Sequence, residues 1–400
     1  MGRYFGCLIL AVVGGLFVCL AALNCDDVDG DDPDRQDDTT PADTGHTVED
    51  TPDRTWGLWY GALPSAGWWF EQVPTAATMT PRLAIFQNGT AAIISTRLVP
   101  PDESDNEIAQ QALHLAYRLP WDEWVDNGEL LRSSPAYGFT SIVAAKDGLL
   151  HVLYGHNGHA LHLLLGINFM NARVVDDGSS PVLHGAIAED PNGHIHAVYG
   201  GYGLFHEVYF LDWWTEIAKF EKGDYPDLVF DADGIGHLVF LISRGLDAGY
   251  RLMHYSYDSI AGTAWFGGEV LPDIAFQPQP HVAVDSKGNV RILAPSEIGL
   301  LYISCPVDND SSCEYEIAAG SDWSAGFQYA DLELPNDEPL AVYRDANTAD
   351  GFVGHRTNLT WTWERLRSFD TGFIGMDLAL DTTGTPELVF AGWKLGEKQE

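Results

Sequence analysis

Seven copies of one hairpin pattern run through the chain, and that repeat restricts its fold more than any other feature. Each copy is a strand-like run, a tight turn usually carrying glycine, and a second strand that often opens with His and ends in Tyr or Phe. The copies begin at Arg82 (RLAIFQNGTAAIIS), Ser141 (SIVAAKDGLLHVLY), Ala186 (AIAEDPNGHIHAVY), Asp227 (DLVFDADGIGHLVF), His281 (HVAVDSKGNVRILA), Asp331 (DLELPNDEPLAVY) and Asp377 (DLALDTTGTPELVF). Six keep the glycine, at Gly89, Gly148, Gly193, Gly234, Gly288 and Gly384; the copy at Asp331 has Asp337 in its place and is one residue shorter. Successive copies lie 41 to 59 residues apart, the length of a four-stranded propeller blade.

The intervals supply the rest of each blade. A third strand such as Leu113–Tyr117, Arg251–Tyr257 or Leu300–Cys305 follows the hairpin, and a fourth usually carries tryptophan: Trp124, Trp214, Trp265 or Trp363. That is the inner-to-outer order of an antiparallel blade. The last copy stops after Trp393 with only two strands, whereas Trp56–Tyr60 and Trp68–Val73 look like a third and a fourth strand without a hairpin. The expectation is an all-β, seven-bladed β-propeller with four-stranded antiparallel blades, the last closed by the N-terminal strands so that no sheet edge is left open. A β-solenoid has shorter repeats and leaves no complementary half-blades at its two ends.

From about Trp56 to Trp393 this pattern resembles the secreted bacterial propellers of the sialidase-like (BNR, or Asp-box) type. The resemblance is one of architecture. The Asp-box itself, Ser/Thr-x-Asp-x-Gly-x-Thr-Trp, is absent, and His355-Arg356-Thr357-Asn358-Leu359-Thr360-Trp361 is its decayed echo. No arginine triad with a Tyr–Glu pair stands out, so the resemblance implies the fold and not sialidase activity.

The first 25 residues read as an export segment. Arg3 precedes an uncharged run from Tyr4 to Leu23 that is long enough to span a bilayer. Ala22-Leu23-Asn24-Cys25 resembles a bacterial lipobox, which would lipidate Cys25; an uncleaved anchor and an ordinary cleaved peptide are the alternatives. All three export the remainder of the chain and predict a protein of the cell envelope, periplasmic or on the cell surface. Residues 26–54 hold 12 acidic and two basic side chains with no apolar periodicity, the mark of an extended acidic linker. Asp27, Asp29 and Asp31 around Gly30 raise calcium binding, but the glycine is misplaced for an EF-hand loop and the terminal Glu is missing. Residues 55–400 form the propeller. Cys305 and Cys313, between two strand-like runs, should form a disulfide in an oxidising compartment.

With 58 acidic residues against 21 basic ones, the net charge of −37 makes nucleic acid an improbable partner. Glycans, cations or a surface protein suit this field better, and a monomer is expected. No GxSxG, P-loop, HExxH or dinucleotide fingerprint stands in a supporting context.

Inner propeller strands line a central channel. Seven residues before each turn glycine lie Arg82, Ser141, Ala186, Asp227, His281, Asp331 and Asp377, five of them ionisable at the end of a nearly apolar strand. Such groups need water, a partner or a ligand. Arg82, Asp227, His281, Asp331 and Asp377 are therefore the candidate ligand-binding residues at the channel mouth, able to hold sugar hydroxyls, a divalent cation such as calcium, or the acid and base of glycan cleavage. The competing reading is a set of solvated charges repeated as consensus, with Arg82 paired to Asp377 across the closing blade.

His151, His196 and His237 share one repeat position, occupied by Arg291, Leu340 and Glu387 in other blades. They suggest zinc by type, but on separate blades they are better read as turn-holding hydrogen bonders, and no metal site is expected. Gly155-His156-Asn157-Gly158-His159, with His162 beyond it, reads as an exposed polar turn on the mouth side. Trp68-Trp69 and Trp213-Trp214 should each turn one ring outward. The function expected is a non-catalytic glycan- or protein-binding module; the alternative is a hydrolase or lyase with an Asp/His site at the mouth.

Overall fold

The computed structural model describes residues 54–395, apart from 64–67, 76–78, 100–109, 122, 134–138, 167–168, 177, 179–180, 202, 211, 246–248, 307–311, 321–326, 346–347, 349 and 367–368. The export segment, Cys25 and the acidic linker up to residue 53 lie outside the described residues. Among those residues, 28 strands form seven four-stranded antiparallel sheets. Six sheets each use four consecutive strands. The seventh runs Trp69–Gln72, Arg54–Ala62, Pro386–Leu395, Phe369–Leu380, so N-terminal strands complete the C-terminal blade as expected.

That closure is extensive. Arg54–Ala62 pairs in register with Pro386–Leu395 along its whole length, and Trp59 Nε1 donates to the Gly392 carbonyl at 3.2 Å. The inner strands Met79–Ile85, Thr140–Ala144, His184–Glu189, Asp224–Phe230, His281–Val284, Phe327–Glu333 and Phe369–Leu380 neighbour one another in order, the last meeting the first. We number the blades one to seven by these strands.

The turn glycines are a backbone requirement. Gly89, Gly148, Gly193, Gly234, Gly288 and Gly384 all have φ between 79° and 86°, which only glycine adopts without strain. Blade six solves the same turn with Asn336 (φ 52°) and Asp337 (φ 64°), and the Asp337 carboxylate accepts from the backbone N–H of Ser286 in blade five at 2.7 Å. Each seam between blades is filled by its own buried cluster. Between blades seven and one, for example, Leu58, Tyr60 and Val389 pack on Leu83, Ile93 and Ala116. Cys305 and Cys313 form the expected disulfide, with sulfurs 2.04 Å apart, joining the third strand of blade five to the start of its fourth.

Candidate functional site

The inner strands are longer than the hairpin repeat suggests. In blades one, four, six and seven they continue past a β-bulge beyond Arg82, Asp227, Asp331 and Asp377. Arg82, Asp227, Asp331 and Asp377 therefore lie within their strands rather than at the ends, His281 opens its own strand, and the residues two places earlier lie nearer the channel entrance. That entrance is a crown of Thr80, Phe139, His184, Tyr225, Gln279, Tyr329 and Gly375. Four of these are non-glycine residues in the left-handed region, Thr80 at φ 40°, Tyr225 at 50°, Gln279 at 71° and Tyr329 at 52°. Each such residue costs about 1–3 kcal/mol, and strain of this kind clusters at binding sites. Three of the four are followed by proline (Pro81, Pro226, Pro280), a signal that was available in the sequence.

Below the crown the ionisable residues form a belt that ties blades together. The Asp227 carboxylate accepts the Val282 N–H of the next blade at 2.8 Å. Asp331 does the same for Leu378 at 2.7 Å, Asp377 for Leu83 at 2.6 Å, and the Ser141 hydroxyl for Ile187 at 3.1 Å. Where the preceding blade offers Ala186 or His281 instead of an acceptor, the aspartate turns back on its own strand. Asp227 then accepts from Leu228 N at 3.1 Å and Asp331 from Leu332 N at 2.8 Å. The remaining capacity is filled by charge: Arg82 reaches Asp377 at 2.8 Å, and His281 Nδ1 lies 3.2 Å from Asp331 and 3.7 Å from Asp227. All five candidate residues are thus brought together, the Arg82–Asp377 pair included.

The belt's electrostatics follow from its sign. Burial would lower the His281 pKa, but Asp331 and Asp227 outweigh it and hold the imidazole above its ordinary value. Glu333, two residues along from Asp331, was not among the candidates. Burial, and then the neighbouring charges of Asp331, Asp377 and Asp227, push its carboxyl well above the usual range.

On the crown, His184 stacks on Tyr225 with ring centroids 4.0 Å apart, and its Nε2 lies 3.5 Å from Asp224 Oδ1. Tyr225 in turn hydrogen-bonds Tyr250. Burial drives this pair in opposite directions, His184 down to about 4 and Asp224 up to about 7. A neutral imidazole and a carboxyl that is about half protonated at pH 7, beside two phenols, offer both donors and acceptors to hydroxyl groups. The histidine and the tyrosine are single residues outside the hairpin repeat, so periodicity did not mark them.

The repeated histidines do not converge on one point. Instead, each second-strand histidine meets a third-strand one: His151 Nδ1 with His162 Nε2 at 3.0 Å, His196 with His206 at 3.0 Å, and His237 with His254 at 3.2 Å. The far nitrogen faces the turn aspartate, at 3.2 Å for His151–Asp147, 3.7 Å for His196–Asp190 and 3.8 Å for His237–Asp231. Trp265 Nε1 donates to His206 Nδ1 at 3.1 Å, which puts the His206 proton on Nε2 and directs it to His196. His162 therefore belongs to this ladder rather than to the turn beside it. In that turn, His159 Nδ1 contacts Asp176 at 3.1 Å. Among the described residues no group of three or more His, Cys, Asp or Glu is placed to hold a metal ion. Trp213 is exposed while Trp214 packs edge-on to His162, and Trp68 stacks on Phe70 while Trp69 meets Tyr60.

No family model and no curated protein matches the chain. Solved structures do. The polysaccharide lyase Uly1 superposes with a TM-score of 0.51 at 8% identity, over 80% of this chain and 91% of that one. A PL25 ulvan lyase gives 0.49 at 12% identity, over 79% and 90%, and the Dos1 propeller 0.48 at 10%, over 86% and 95%. At these identities the likeness is one of fold alone.

Proposed function

We propose that this chain is an exported, membrane-tethered propeller that binds glycan through its crowned channel entrance without cleaving it. The observation that supports this most is the crown itself. Tyr225, Gln279 and Tyr329 are held half-buried around the entrance in strained backbone, beside His184. Phenol rings offer faces for a pyranose, and amide, imidazole and phenol offer the few convergent polar groups such a site needs. The belt below speaks against catalysis by its own carboxylates. Asp227, Asp331 and Asp377 each have both oxygens engaged by N–H donors, several from the next blade, which commits them first to holding the blades together. The expected Cys25 anchor and acidic linker would hold a monomeric binding head off the membrane.

One observation favours a second reading, glycan cleavage. Asp224, pushed up to about 7 by burial, stands beside an unprotonated His184, and such a pair can pass a proton near neutral pH. A polysaccharide lyase on the same fold makes that reading worth testing.

The test is a thermal-shift screen of the purified protein against neutral and uronic-acid oligosaccharides, with the products analysed after long incubation. At least one oligosaccharide should raise the melting temperature of wild type and fail to do so for Tyr225→Gly/Gln279→Gly, which relieves the strain while removing the side chains. Shortened products lost in Asp224→Asn would establish cleavage instead. If no oligosaccharide binds, the glycan reading fails.

A further inference from the structure

In so acidic a chain, arginines are readily claimed by carboxylates, and nine of them stand within 3.8 Å of one. Arg97, on the second strand of blade one, has no such partner among the described residues, and its buried Nε–H donates to nothing. An unmet donor on a charged group is costly, so it calls for an explanation.

A second group beside it is in the same state. His114, on the third strand, is only 5% exposed, and neither of its ring nitrogens has a hydrogen-bond partner. The two side chains share a face. Ser95 pairs with His114 and Arg97 with Ala112, and alternate residues of a strand point the same way. Farther along that face, Ile93 and Ala116 enter the core between blades seven and one. Burial, and then the Arg97 charge, lower the His114 pKa, so at neutral pH its ring keeps one N–H to donate. The fourth strand bulges on either side of Gly128 and Glu129, the residues that face Leu115 and His114, and such bulges re-aim side chains beside sites.

Charge limits what could fit. The neighbouring Arg132 is matched by Glu129, Nε to Oε1 at 2.5 Å and Nη2 to Oε2 at 3.1 Å, which leaves the single charge of Arg97 uncompensated. The position is on the crown side of the blade, since the hydroxyl of Thr96, next in the chain, meets that of Thr80 at 2.6 Å.

We propose that Arg97 and His114 bind a singly charged oxyanion, a carboxylate or a sulfate ester, through the Arg97 Nε–H and one His114 N–H. The site lies outside the crown and does not depend on the glycan reading.

Isothermal titration of the purified protein with acetate, methyl sulfate and uncharged acetamide, at constant ionic strength, tests the proposal. At least one anion should bind and acetamide should not; the tighter anion identifies the source of the charge. Arg97→Met and His114→Phe, which keep the bulk and remove the donors, should each weaken that anion by about tenfold or more. Tyr225→Gly/Gln279→Gly should leave its binding unchanged. Because the donors have no partner within the fold, both variants should melt at or above wild type without the anion. Binding of neither anion at tens of millimolar, equal binding of acetamide, or binding indifferent to both variants would each overturn the proposal. So would variants that melt well below wild type, since the two groups would then serve the fold.

Discussion

Several histidines are held uncharged by their surroundings. Burial lowers His162 to about 3, with His151 and Arg173 adding to the effect; it lowers His184 to about 4 and takes His206 well below its ordinary value. Below about pH 6.5 the unfolded chain takes up protons that these native side chains refuse, so their contribution to stability is lost as the pH falls from there towards 4. Asp224 acts in the opposite sense. Its native pKa is raised to about 7, so its contribution is full below about pH 4 and is lost as the pH rises through 7. We therefore expect Asp224→Asn to be more resistant to denaturant than wild type at pH 8, with the gap closing by about pH 4. Equal midpoints at both pH values would show that Asp224 is not strained by burial. Nothing in the sequence marked this residue, because its burial depends on Tyr225, Tyr250 and a bulge that only the folded crown brings together.

The belt is a property of strands rather than of side chains taken singly. Asp227, Asp331 and Asp377 were legible as an unusual ring. Their partners were not legible, since a backbone N–H in the next blade is advertised by no residue type. The same holds for the histidine ladder, in which one member lies in the hairpin repeat and the other in a third strand of variable register. Removing the Asp331 side chain leaves the Leu332 and Leu378 N–H groups without their acceptor and deprives His281 of its nearest carboxylate. Asp331→Ala should therefore cost about 2–4 kcal/mol in chemical denaturation, against about 1 kcal/mol for Ser141→Ala, which loses one such bond. Comparable small losses for both would mean that water replaces the belt freely.

The ring as a whole was the most legible level, because blade count and closure follow from repeat spacing and from the two half-blades. Leu58, Trp59, Tyr60 and Val73 carry the closing strands into the cores on both sides of blade seven. A chain beginning after residue 75 should lose the cooperative melt of the full protein and aggregate; a retained sharp transition would show that six blades and a half suffice. The same closure also sets a clock. Trp59 and its partner Gly392 are 333 positions apart, so at about 5–20 residues per second the first strands wait roughly 17–67 s for the strand that receives them. Throughout synthesis the molecule is an open arc with an unpaired sheet edge at each end. It therefore reaches its stable form only after the last residues are made, which suits a chain that crosses a membrane before it folds and burdens one that must fold where it is synthesised.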